Sequence, residues 1–159
     1  MKYEVSKIYK KIVDETDKLA DEYIPNQVDD PKRPDFGGYF SPENGCCDAC
    51  HVGTGMVAHI FGCCYFSKGS KYYNDDEMKT RLINALGFIK SQVRESGFID
   101  LPNNNYDSPP DTAFMIGYLA QVAYMAKKSE IDSDGKIYNA VIDIILPCAK
   151  STAAGGFHT

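Results

Sequence analysis

The residues of this 159-residue chain that could do chemistry gather in a few short runs. Asn103, Asn104 and Asn105 set three amides directly before the phenol of Tyr106 and the carboxylate of Asp107. The amides suit hydrogen bonding to sugar hydroxyls, with Tyr106 as a stacking face. They equally suit turns, because asparagine tolerates left-handed backbone geometry. Asp107 and Asp111 are of the type of the paired carboxylates of a glycoside hydrolase. Asp111 also suits the first turn of a helix, where a carboxylate meets the positive end of the helix dipole. His51 and His158 are imidazoles on either side of this run, able to give or take a proton. Cys47-Asp48-Ala49-Cys50-His51 matches the C-x-x-C-H pattern of covalent haem attachment. Cys47, Cys50, His59 and Cys63 alternatively offer a zinc or iron–sulfur ligand set, since His59 and Cys63 stand one helical turn apart. The plainer reading is reduced thiols acting as small buried hydrophobes, and it calls for no metal and no cofactor.

The elements that must position these residues are helices. Val5, Ile8, Tyr9, Ile12, Val13, Thr16, Leu19, Ala20 and Tyr23 recur with helical period, and Pro25 ends that amphipathic helix. A long polar connection follows to about Cys50. From His51 to Phe66 a second helix carries His59 as the only strongly polar residue after Met56, so it should be surrounded by others. Asn74 can cap a third helix, striped by Met78, Leu82, Ala85, Leu86, Ile89 and Val93. After a second polar connection, Glu95 to Asp107, Ser108-Pro109-Pro110-Asp111 opens a fourth. From Thr112 to Ala126 its only long polar side chain is Gln121, which predicts burial all round. A fifth helix runs from about Gly135 to Ala153, through Pro147, and stops at Gly155-Gly156.

The order is outer, inner, outer, inner, outer, which concentric rings of antiparallel helices require and an ordinary four-helix bundle does not. The chain therefore reads as one all-α domain over residues 1–159, antiparallel hairpins forming part of an (α/α) toroid that is incomplete at its C-terminal side. Alternation places every outer-to-inner connection at the same end. Those are the long ones: Ile24 to Cys50, Glu95 to Asp107, and Ser151 to Thr159. Connections of that length are commonly functional. An unclosed ring is also expected to associate with another copy of itself through exposed inner-helix surface.

The 17 Lys+Arg against 22 Asp+Glu leave a net charge of -5, without the basic excess that nucleic acid or an anionic membrane asks for. No apolar run approaches the roughly 20 residues of a membrane span, and the charged start has no signal-peptide core. A cytoplasmic location is the expectation, and the six clustered cysteines do not read as a secreted disulfide framework.

Asn104-Asn105-Tyr106-Asp107-Ser108-Pro109-Pro110-Asp111-Thr112-Ala113-Phe114, His51-Val52-Gly53-Thr54-Gly55 and Gly155-Gly156-Phe157-His158-Thr159 resemble matching parts of heparinase II/III-like proteins. The similarity covers most of the chain after about Gly37. It implies a helical toroid, followed in full-length relatives by a β-sandwich domain, and cleavage of acidic polysaccharides by β-elimination. In such lyases an Asn or His neutralises the uronate carboxylate beside a Tyr or His that moves the proton. Carried onto this chain, Tyr106 is the expected base or acid and His158 or His51 the charge stabiliser; by residue type, Asn103, Asn104, Asn105, Asp107 and Asp111 are the expected contacts to an oligo- or polysaccharide. A glycoside hydrolase on the same toroid, or a non-catalytic helical binding module with a Cys/His metal site, are the alternatives.

Overall fold

The structure, a computed structural model, describes residues 5–102 and 105–155. It is predominantly helical. The helices are α1 (Val5–Tyr23), α2 (Thr54–Phe66), α3 (Asp76–Gln92), α4 (Pro109–Lys128) and α5 (Lys136–Ala154). α2 packs against α1, α3 and α4, while α5 packs against α4 and α3, so α2 and α4 form an inner pair flanked by the other three.

Helix starts follow the local chemistry with one shift. The α3 cap is Asp75, whose carboxylate accepts from Met78 N at 2.7 Å. Asn74, the expected cap, instead takes a left-handed φ of 55° and ends the preceding turn. Ser108 caps α4 ahead of its two prolines as expected. α5 is capped from a distance: buried Asp132 accepts from Ile137 N and Tyr138 N at 3.1 and 2.9 Å. Pro147 is accommodated within α5, which ends at Gly155 with φ 75°.

Two expectations are corrected. The chain is not all-α, because the first two long connections each fold a two-stranded antiparallel ladder: β1 (Phe40–Ser41) with β2 (Cys46–Cys47), and β3 (Ile99–Leu101) with β4 (Asn105–Ser108). Backbone pressed against helix ends must find partners for its N–H and C=O groups, and short ladders supply them. The second correction concerns α4. Nine of the 13 residues of α2 are buried, as an inner helix requires. α4 buries one stripe, through Met115, Leu119, Val122 and Ala126, but Phe114 is 61% and Tyr124 66% exposed, and Ala113, Gly117, Ala120 and Gln121 lie in the same wet face. Apolar residues on every side record what a helix can bury, whereas burial itself needs a neighbour. Among the described residues none covers this face. α1 behaves likewise, burying Val13 and Ala20 but leaving Val5, Ile8, Tyr9, Ile12 and Leu19 largely exposed.

Both inner helices start with the same device. Thr54 Oγ1 at the head of α2 accepts from Tyr39 N at 3.0 Å, and Thr112 Oγ1 in the first turns of α4 accepts from Ile99 N at 3.0 Å. Both threonines are fully buried. Each connection is thereby tied to the helix it leads into, which holds both at one pole.

Candidate functional site

The expected gathering of the long connections at one end occurs for their described parts. Cys47, Asp48 and Ala49 of the first connection and Asp100, Pro102 and Tyr106 of the second, with Gln92 at the end of α3, line one small cavity of about 130 Å³. The second connection also touches the end of α5. Gly97, at φ 85°, approaches so closely that a Cβ there would stand 2.2 Å from Ser151 Oγ and 3.2 Å from Pro147 O.

Ser108 is fully buried and Asp111 is 8% exposed. The Ser108 hydroxyl donates to Asp111 Oδ2 at 2.5 Å and accepts from Asn105 Nδ2 at 2.9 Å. His51 brings Nδ1 to 3.3 Å from Asp111 Oδ1, and its ring lies tilted on Phe114 with centroids 4.8 Å apart. That Nδ1 is shielded from solvent and completes no hydrogen bond of good geometry. The imidazole as a whole is 27% exposed, so its open part lies elsewhere on the ring. An imidazole backed by a buried carboxylate is an arrangement suited to proton transfer.

The other expected site residues divide. Tyr106 stands 69% exposed on β4 at the cavity wall. Asp107 is held in a left-handed φ of 57°, with its N donating to Asp100 Oδ1 at 2.7 Å and its carboxylate accepting from the Ser96 hydroxyl. Asp107 and Asp111 are thus engaged by different partners. Asn105 spends its amide on Ser108. Asn103, Asn104 and His158 lie outside the described residues.

Two residues of this pole escaped the sequence reading. Asp48 is 4% exposed, accepts from Cys50 N at 3.0 Å, and presses on Gly53, where a Cβ would come 2.0 Å from Asp48 Oδ1. The available signal was an aspartate two residues before its backbone donor, the pattern of an Asx turn. Arg94, 3.2 Å from Asp100, adds a cation to the pole, whereas Arg33 is held by Asp35 at 2.8 and 2.7 Å.

No family model matches this chain, and neither a curated protein nor a solved structure matches it significantly.

The four residues weighed as a metal set do not converge. The Cys47 thiol donates to Asp35 at 3.5 Å, Cys50 stands beside Asp48, and Cys63 Sγ is 3.4 Å from His59 Nε2. Among the described residues no three His, Cys, Asp or Glu side chains are grouped to hold a metal ion. Burial and the neighbouring carboxylates push the Cys47 and Cys50 thiols up to about 12, and burial raises Cys63 to about 11. Such thiols stay protonated at neutral pH and make poor nucleophiles. His59 stacks on Tyr118 with centroids 5.0 Å apart, and burial lowers its pKa.

Proposed function

We propose that the chain is one sector of an (α/α) toroid in a carbohydrate-active protein resembling heparinase II/III lyases, and that the pole at His51, Tyr106 and Asp111 receives an oligo- or polysaccharide. The single observation that carries this reading is the placement of a carboxylate-backed imidazole, His51, at the pole where Tyr106 stands exposed. The alternation of flanking and inner helices supports the toroid, and so does the repeated threonine tie at the heads of α2 and α4. The same reading expects the uncovered face of α4 to meet a further hairpin or another copy of the chain. Among the described residues no helix is long and apolar enough to cross a membrane, and all six cysteines are unpaired, as a cytoplasmic setting favours.

In an elimination at a uronic acid, a base takes the proton beside the carboxylate, the C–H electrons form the new C=C bond, and the glycosidic oxygen leaves with a proton from an acid. His51 and Tyr106 are of the right types for those two proton transfers, and Tyr106 and Phe114 offer exposed rings to the apolar faces of sugars.

The test is to titrate uronate-containing oligosaccharides into the isotope-labelled chain and to follow the ultraviolet absorbance of an unsaturated product. The expected result is resonance shifts centred on His51, Tyr106 and Phe114. Shifts elsewhere only, or none at millimolar sugar, would remove the reading.

A further inference from the structure

Ser108 carries more hydrogen bonds than a capping serine needs. Its hydroxyl oxygen accepts from Asn105 Nδ2 at 2.9 Å and from Asp111 N at 3.4 Å, which occupies both lone pairs. Its one proton must then be donated, and it goes to Asp111 Oδ2 at 2.5 Å. With Oδ2 held, the carboxylate cannot swing, and Oδ1 is aimed at the buried Nδ1 of His51, 3.3 Å away.

A neutral imidazole carries its proton on one nitrogen only. A bare Nδ1 would set its lone pair against a carboxylate oxygen in a place no water reaches, leaving a buried acceptor unsatisfied. A protonated Nδ1 turns the same contact into a charge-assisted hydrogen bond that a small rotation of the ring completes. We infer that Asn105, Ser108 and Asp111 form a positioning chain that fixes His51 with its proton on Nδ1 and leaves Nε2 bare as the proton acceptor of the pole. Its use on a sugar rests on the carbohydrate reading above, whereas the tautomer stands on the hydrogen bonds alone.

This revises two expectations. Asp111 and Asn105, first read as sugar ligands, become positioning residues that act through His51. His51, first read as a charge stabiliser, becomes the group that takes a proton. A bare Nδ1 would have suited a donor at Nε2, and the carboxylate decides between the two.

The experiment is long-range proton–nitrogen correlation of the histidine rings in the 15N-labelled full chain, above the pH at which imidazole is protonated. His51 is assigned by the signal lost in His51→Gln. Wild type is expected to show Nδ1 protonated and Nε2 bare. Asp111→Asn is expected to reverse the pattern, because the Ser108 hydroxyl requires the asparagine carbonyl at its side and so turns the amide NH2 toward Nδ1. Acylation of His51 by diethyl pyrocarbonate, which needs an open bare nitrogen, should slow by roughly tenfold in that variant. Ser108→Ala releases the carboxylate but retains it, and should give a mixture of tautomers. A wild-type spectrum with Nε2 protonated, or one tautomer shared by wild type and Asp111→Asn, overturns the inference. If Asp111→Asn does not fold, wild type and Ser108→Ala still decide. Failure of every uronate sugar to bind, with the tautomers as stated, removes the carbohydrate reading and leaves this one standing.

Discussion

Replacing Thr112 with valine isolates what holds the second connection on α4. Thr112 is fully buried, and its hydroxyl accepts from Ile99 N at 3.0 Å while donating to Ser108 O at 2.6 Å. Valine preserves the branched shape, so no cavity opens, but the amide of fully buried Ile99 loses its partner. An orphaned buried donor costs about 1–3 kcal/mol. For a domain of this size each kcal/mol moves Tm by about 2–4 °C, so Thr112→Val should melt roughly 4–8 °C below wild type if the loss is near the middle of that range. Thr112→Ser keeps the hydroxyl and loses one methyl group, a smaller loss of about 1 kcal/mol. Urea denaturation of the three proteins gives the order, and hydrogen exchange at the Ile99 amide gives the location, with faster exchange expected in the valine variant. A serine variant less stable than the valine variant, or an Ile99 amide equally protected in both, would show that packing of the γ-methyl and not the hydroxyl ties the connection down.

Three further outcomes follow from the same geometry. Gly53→Ala would drive a methyl group into the buried Asp48 carboxylate, 2.0 Å from Oδ1, and should cost about 1–3 kcal/mol in a thermal melt, with no loss if Asp48 can rotate away. Tyr106→Ala, at a 69% exposed side chain, should leave stability within about 0.5 kcal/mol. It should nonetheless weaken binding of a sugar that stacks there by roughly three- to tenfold in a calorimetric titration. The stability curve should fall on both flanks. The folded thiols of Cys47, Cys50, Cys63 and Cys148, raised to about 11–12, hold protons that the unfolded chain releases, so their contribution is whole below the ordinary thiol range and is lost as pH climbs above it. His59, lowered by burial, stays neutral in the fold while the unfolded chain takes up a proton, so stability drops as pH falls below about 6.5. Urea midpoints measured from acid to alkaline pH check both signs, and Cys63→Ser with His59→Gln should flatten part of each flank.

Much of the helical framework was legible in the residue order, since α1 to α5 lie close to where period, caps and prolines put them. The site was legible only as a neighbourhood. His51 and Asp111 are 60 positions apart, and nothing in either run states that the loop before α2 meets the first turn of α4. Asn105, Ser108 and Asp111 could each be assigned a local duty from sequence, as sugar ligand, cap and dipole partner. Their joining through one hydroxyl depends on the bend of the β3–β4 ladder over the helix end. The surroundings of the cysteines were not legible either: the C-x-x-C-H spacing is literal, yet Cys47 faces Asp35 and Cys50 faces Asp48.

Sequence by itself determined the helices, the Ser108 cap of α4, and the grouping of the long connections at one pole, because period and alternation are local properties of a chain that reverses direction at each turn. Tertiary structure alone decided which apolar faces are dry. α2 and α4 are both rich in apolar side chains, but α2 packs against three other helices and α4 against two, so the hydrophobic effect buries one and leaves Phe114 and Tyr124 of the other in water. It also decided which carboxylate stands behind His51, since a contact of 3.3 Å across 60 residues comes from packing that no local pattern encodes.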